Sequence, residues 1–303
     1  MTMTSALRGL LAVCVCVFVA AADARADTRL FSDSKLVPGE RISVEVVGKG
    51  PDLIFIPGLA SSRDTWRAAA ERLKGRYRLH LVQVAGFAGD PAGGNKDGPV
   101  VVPVAEAIDA YIVSHKLAPA VLIGHSLGGT MSLYLAEHHP EHLRKVLIDD
   151  ALPLYATVIL RGADLPAEQR HAIAGQISQS MLSASDADYA KSMDQQLAGY
   201  ATSQADKDRI KGWTLASDRS VVARAIAEDF DLDLRPGLGD IKVPITLLYP
   251  DYKSPGAGVD TRYRGAYSAA KTMTIQRIDQ SMHFIMLDQP DTFAKVLDEF
   301  LAR

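Results

Sequence analysis

The chain has 303 residues, 48% of them hydrophobic and 23% charged, with 33 basic against 36 acidic side chains for a formal net charge of −3 at pH 7. This is the profile of a packed globule long enough for one large α/β domain or two smaller ones, and it excludes a disordered chain. The balance leaves no electrostatic footprint for nucleic acid or an anionic membrane, so neither is expected as a partner.

The first stretch, MTMTSALRGLLAVCVCVFVAAADARADTRL, sets Arg8 ahead of an apolar run that starts at Leu10 and closes on Ala24, Arg25 and Ala26, a small-x-small pattern before Asp27. It reads as a secretory signal peptide over residues 1–26. The run is short for the ~20 residues of a membrane span, so cleavage is expected, with no transmembrane span left and a periplasmic or secreted address. Cys14 and Cys16 both lie in the leader, so the mature chain is expected to carry no thiol. A lipid-anchor reading of LAVC is poor, because Val13 is bulkier than such sites want and Cys14 precedes the end of the apolar run.

After the leader, RISVEVVGKG alternates like a strand, and Leu53 to Ile56 form a buried-strand run followed by a Gly-containing turn and a helix starting near Asp64. The same unit recurs. YRLHLVQV leads into a Gly-rich loop, AVLIGH into a helix after Ser126, and Lys145 to Asp150 form another strand, followed much later by VPITLLYP and KTMTIQRID. Short strands separated by helices predict an α/β fold with a doubly wound, mostly parallel sheet. Between Leu152 and Gly239 the strand signal gives way to helical patterns such as AEQRHAIAGQISQSML and DRSVVARAIAEDF. The expected organisation is a core of residues 27–151 and 240–303, with a helical cap of residues 152–239 inserted after the sixth strand. No repeat points to a solenoid.

Ligands of such sheets bind outside the carboxyl ends of the strands, where Ser126 stands. Gly124, His125, Ser126, Leu127 and Gly128 match G-x-S-x-G, a turn that forces the serine into a strained conformation and leaves no room for side chains at either glycine. Three fixed positions are weak alone; the strand before and helix after are the context the motif requires. The Leu127 N–H, at a helix N-terminus, can donate to a developing oxyanion.

A serine hydroxyl needs a base, and the chain has eight histidines. His80 sits within an alternating strand, His115 ends a helix, His171 is in the cap, and His125 is the variable residue of the turn. His138, His139 and His142 read as a solvated helix end, without H-E-x-x-H spacing, so no metal is expected. His283 follows the last strand, Thr272 to Ile278, in a short loop before PDTFAKVLDEFLAR, and is the predicted base.

FIPGLASSRDTW, IGHSLGG and MHFIMLDQP together resemble the loop after the third strand, the nucleophile turn and the histidine loop of the α/β-hydrolase superfamily, over essentially the whole mature chain. Where the family usually has His-Gly, this chain has Pro57-Gly58. The donor there is a backbone N–H, so the resemblance implies Leu59 beside Leu127 in the oxyanion hole. It also implies a carboxylate after the seventh strand, which points to Asp251. The family's common spacing would fall on Ser254, and some members draw the acid from the sixth strand, which makes Asp150 the alternative. Asp149 reads as the residue that caps or ends that strand, and Asp260 or Asp279 remain further candidates.

The expectation is a serine hydrolase that cleaves a small-molecule ester through an acyl-enzyme on Ser126, with no metal or organic cofactor. The same residues would serve a thioesterase, lactonase, aminopeptidase, carbon–carbon hydrolase or haloperoxidase, and the fold without chemistry would serve as a small-ligand binder. Met181, Tyr189, Met193, Tyr200 and Trp213 could line an acyl pocket or simply pack the cap.

Overall fold

The computed structural model describes residues 29–161, 163–252 and 257–303; the expected leader, with Cys14 and Cys16, lies outside them. Among the described residues the apolar runs pair into one sheet of eight strands: β1 (Lys35–Val37), β2 (Ile42–Gly48), β3 (Asp52–Ile56), β4 (Arg78–Val84), β5 (Ala120–His125), β6 (Leu143–Asp149), β7 (Ile245–Asp251) and β8 (Met273–Asp279). Their order is β1-β2-β4-β3-β5-β6-β7-β8. β1 and β2 run antiparallel to their neighbours, and every pairing from β4 through β8 is parallel. The short edge strand β1 has too few residues to leave an alternation signal in the sequence.

The helices are α1 (Arg67–Leu73), α2 (Val101–Ser114), α3 (Leu127–His138), α4 (Ala156–Ile159), α5 (Ala167–Ser183), α6 (Asp186–Leu197), α7 (Gln204–Ala216), α8 (Arg219–Asp231), α9 (Ala257–Ala266), α10 (Ile285–Asp288) and α11 (Pro290–Ala302). Those from α4 to α8 occupy the chain between β6 and β7, where the strand signal is lost.

The central strands are buried on both faces, which is why they read as continuous apolar runs rather than alternating ones. Ile54 and Ile56 of β3 point into one cluster with Val104 and Ile108 of α2 and Met131 of α3. Leu53 and Phe55 point the other way, into a cluster with Trp66 and with Phe293, Leu297 and Phe300 of α11. Each such fully buried side chain contributes about 1.5–3 kcal/mol relative to exposure. Lys145, buried on β6, donates its ammonium to the Phe300 carbonyl at 2.6 Å, tying the end of α11 to the strand that leads into the site.

Candidate active site

β5 ends at His125 and α3 begins at Leu127, so the whole change of direction falls on Ser126. Its backbone has φ 52° and ψ −122°, a region that L residues avoid without outside constraint. The constraints are visible. The Ser126 N–H donates to the Asp149 carbonyl at 2.9 Å, a Cβ on Gly124 would lie 2.3 Å from the Gly128 carbonyl, and one on Gly128 would lie 2.3 Å from that of Ile56. Both glycines are thus required by close backbone approach. The loop after β3 presses on the same turn: a Cβ at Gly58 would come within 3.1 Å of Ser126 Cβ. That contact brings the segment bearing Leu59 to the serine, while Leu127 is the first residue of α3, where backbone N–H groups have no partner within the helix.

His283 lies between β8 and α10, and its Nδ1 sits 2.5 Å from Asp150 Oδ2. With Nδ1 engaged there, Nε2 is the nitrogen left for the serine, and Ser126, Asp150 and His283 line one cavity of about 90 Å³. Of the two expected carboxylates, the structure thus sets the alternative, Asp150, against His283, and not Asp251. No hydrogen bond or ion pair joins Asp251 to His283; the Asp251 carboxylate is buried, with Arg277 Nη1 3.9 Å away. The reason is the length of the ladder. β6 leaves the sheet after Asp149 and Asp150 turns out at φ 52°, whereas Asp251 is still paired in register with Asp279 of β8 and its side chain stays on a sheet face. Asp260 pairs with Arg264 at 2.8 Å and with the Tyr249 hydroxyl, and Asp279 pairs with Arg277 at 2.7 Å.

Two contacts and one buried carboxyl escaped the sequence. The Tyr263 hydroxyl of α9 donates to Asp150 Oδ1, so both oxygens of that carboxylate are held; burial first, and the Asp150 charge second, push the phenol well above its usual value. His125 is fully buried and its Nε2–H donates to the His283 carbonyl at 3.0 Å. Burial, with His283 beside it, pushes its imidazole well below the usual range and keeps it neutral. Asp149, also fully buried with neither oxygen hydrogen-bonded, ends β6 as expected, and burial first and Asp150 second push its carboxyl well above the usual carboxylate value. Its place at the end of β6 was legible, and no pattern signalled the shift.

The segment between β6 and β7 roofs the cavity with Leu152, Tyr155, Val158 and Asp229. Of the residues expected to form an acyl pocket, Tyr189 and Met193 are buried in packing, and Tyr200 lies with its ring 5.6 Å from that of His283. The His283 loop is stitched to this segment through Phe284 N–H to the Tyr200 carbonyl at 2.9 Å. The remaining histidines stand apart from the serine. His80 is held by Tyr111 and Asp52, both at 2.8 Å, and His171 pairs with Asp231 at 2.9 Å. His138 packs on Tyr134, and His115 ends α2. Asp109, His139 and His142 have donor atoms within 4.8 Å of one another and are the described residues that could close on a metal ion; His139 already pairs with Glu106 at 3.1 Å.

Comparison with known proteins decides the family. Residues 53–296 match the profile of the alpha/beta hydrolase family. The chain belongs to that family. The pimeloyl-[acyl-carrier protein] methyl ester esterase of Aeromonas hydrophila is 24% identical over 272 residues, which cover 86% of this chain and 99% of the relative. A hydrolase from Pseudomonas aeruginosa superposes with a TM-score of 0.72 at 17% identity, covering 90% of this chain and 99% of the other. An esterase from Exiguobacterium antarcticum superposes at 0.69 and 20%, covering 89% and 98%. Membership makes this alpha/beta hydrolase an enzyme of the serine-hydrolase type, whose strained turn, histidine loop and parallel sheet are the features described above.

Proposed function

We propose that the hydrolase cleaves a carboxylic ester of a small molecule through an acyl-enzyme on Ser126. The observation that carries this reading is the constrained Ser126 turn in one cavity with the His283–Asp150 pair. In the proposed cycle His283 Nε2 accepts the Ser126 proton as Oγ bonds to the ester carbon, and the Leu59 and Leu127 N–H groups receive the negative oxygen. The imidazolium, held through Nδ1–H by Asp150, returns the proton to the leaving alcohol as the ester C–O bond breaks. Water then adds to the acyl carbon with His283 as base, releasing the acid and restoring Ser126. The esterase relatives support an ester over the other family chemistries. Residues 152–239 act in this reading as the cap that selects substrate, supported by the residues they contribute to the cavity roof.

A fluorophosphonate probe should label folded protein on Ser126, and p-nitrophenyl esters of short acids should be turned over. Labelling at another serine, or none, would overturn the mechanism. Export to the periplasm or medium belongs to the proposal, supported by the leader pattern. Protein recovered from a secreting host should begin near Asp27, and an intact mass that retains Cys14 would contradict it.

A further inference from the structure

The proposed cycle leaves one carboxyl of the cavity without a task. Asp229, on α8, is 7% exposed and lines the same cavity as Ser126 and His283. Its Oδ1 is buried with no hydrogen-bond partner. The Thr130 hydroxyl lies beside it, and Thr130 is one turn along α3 from Ser126, with its N–H bonded to the Ser126 carbonyl at 2.9 Å. Thr130, beside the carboxyl, is thus set about 6 Å of helix rise from Ser126. A buried carboxyl with an empty acceptor is costly to hold in an apolar wall, and burial pushes it up to about 7 against the pull of Thr130 and His283. An ion pair does not account for it, since no lysine or arginine lines the cavity among the described residues. The other carboxyl there, Asp150, has both oxygens occupied by His283 and Tyr263.

We propose that Asp229 binds a hydrogen-bond donor, a hydroxyl or an ammonium, that the substrate carries close to its scissile carbonyl. The inference rests on the ester-hydrolase reading and adds the substrate class: a short, donor-bearing ester. The size follows from the cavity, whose volume is about 90 Å³. The sign follows from the wall, where two carboxyls and no cation disfavour an acidic substituent. An apolar group of equal size would leave the acceptor buried and unmatched, which sets the expected preference at about 10- to 100-fold.

The test uses the whole enzyme and two matched series. Ethyl propionate, ethyl glycolate and ethyl glycinate vary the acyl side; propyl, 2-hydroxyethyl, 3-methylbutyl and 2-(dimethylamino)ethyl acetates vary the alcohol side. Hydrolysis followed by pH-stat should give, in at least one series, a kcat/KM for a donor-bearing ester about 10- to 100-fold above its apolar partner. That ratio should collapse in Asp229→Leu and in Asp229→Ala, two variants of different shape whose folding is checked by fluorophosphonate labelling of Ser126. Asp229→Asn should lose an ammonium preference yet keep a hydroxyl one, which separates the two donors. Wild-type hydrolysis without preference in either series, or a preference that survives in a folded Leu or Ala variant, would overturn the inference alone. Failure of the wild type to hydrolyse any of the esters would overturn the ester-hydrolase reading with it.

Discussion

β6 and β7 lie side by side in the sheet, and each finishes on an aspartate, yet only the end of β6 reaches the histidine. Asp150 has left the ladder. Its N–H bonds to the Leu248 carbonyl of β7 at 2.9 Å while its own carboxylate, freed by the positive φ, meets His283 Nδ1 and the Tyr263 hydroxyl. Asp251 remains in the ladder, its carbonyl receiving the Gln280 N–H at 2.8 Å and its side chain buried toward Arg277. What separates a site residue from a packing residue at these two positions is where pairing stops, and a shift of one residue along a strand turns a side chain to the opposite face.

The largest expected effect breaks or establishes that contrast directly. Asp150→Asn should lower kcat by about 10³–10⁴ with the fold intact, because an amide holds the wrong tautomer and cannot stabilise the imidazolium. Steady-state kinetics on a labelled, folded variant checks it, and near wild-type turnover would remove Asp150 from the role. Tyr263→Phe comes next, with kcat about tenfold lower and KM little changed, the value of one hydrogen bond to a charged group. A matched fall in melting temperature without a kcat effect would make Tyr263 a packing residue only.

A third effect is on stability. Burial raises the Asp149 carboxyl well above 3.8 in the folded state, so the native protein holds a proton that the unfolded chain releases. Its stabilising share is fully present below the ordinary carboxylate value and is lost as pH rises through the raised one. Thermal melts across pH should show wild type losing stability relative to Asp149→Asn as pH rises; parallel curves would mean that Asp149 is not held neutral. The smallest effect is Asp251→Asn, for which kcat should stay close to wild type. A loss comparable to that of Asp150→Asn would reverse the assignment of the two strand ends.

Much of this arrangement was legible in the sequence where the signal is local. The Gly124–Gly128 turn, the strand runs on either side and the loop around His283 each fit within a few consecutive residues, and each falls where the folded chain uses it. The carboxylate beside His283 was legible only as a choice between Asp251 and Asp150, because Asp150 and His283 are 133 positions apart and a second contact of Asp150, Tyr263, comes from α9 in a stretch with no clear period. Asp229 was hidden for the opposite reason: its helix pattern reads as ordinary amphipathic surface, and only the fold sets that carboxyl in the cavity beside Thr130. His125 looked like a free position of the motif, since its bond to the His283 carbonyl spans 158 positions.

The conformation of Ser126 carries a consequence for the hardness of the protein to heat. A non-glycine residue at φ 52° and ψ −122° costs about 1–3 kcal/mol, and glycine would relieve it while adding about 0.4–1 kcal/mol of unfolded-chain freedom. Ser126→Gly should therefore melt a few degrees higher than the native enzyme, at roughly 2–4 °C per kcal/mol for a chain of this size, while carrying no nucleophile. The native sequence is then expected to melt below this variant, and a screen that selected for melting temperature alone would drift toward losing the hydroxyl that the proposed cycle uses.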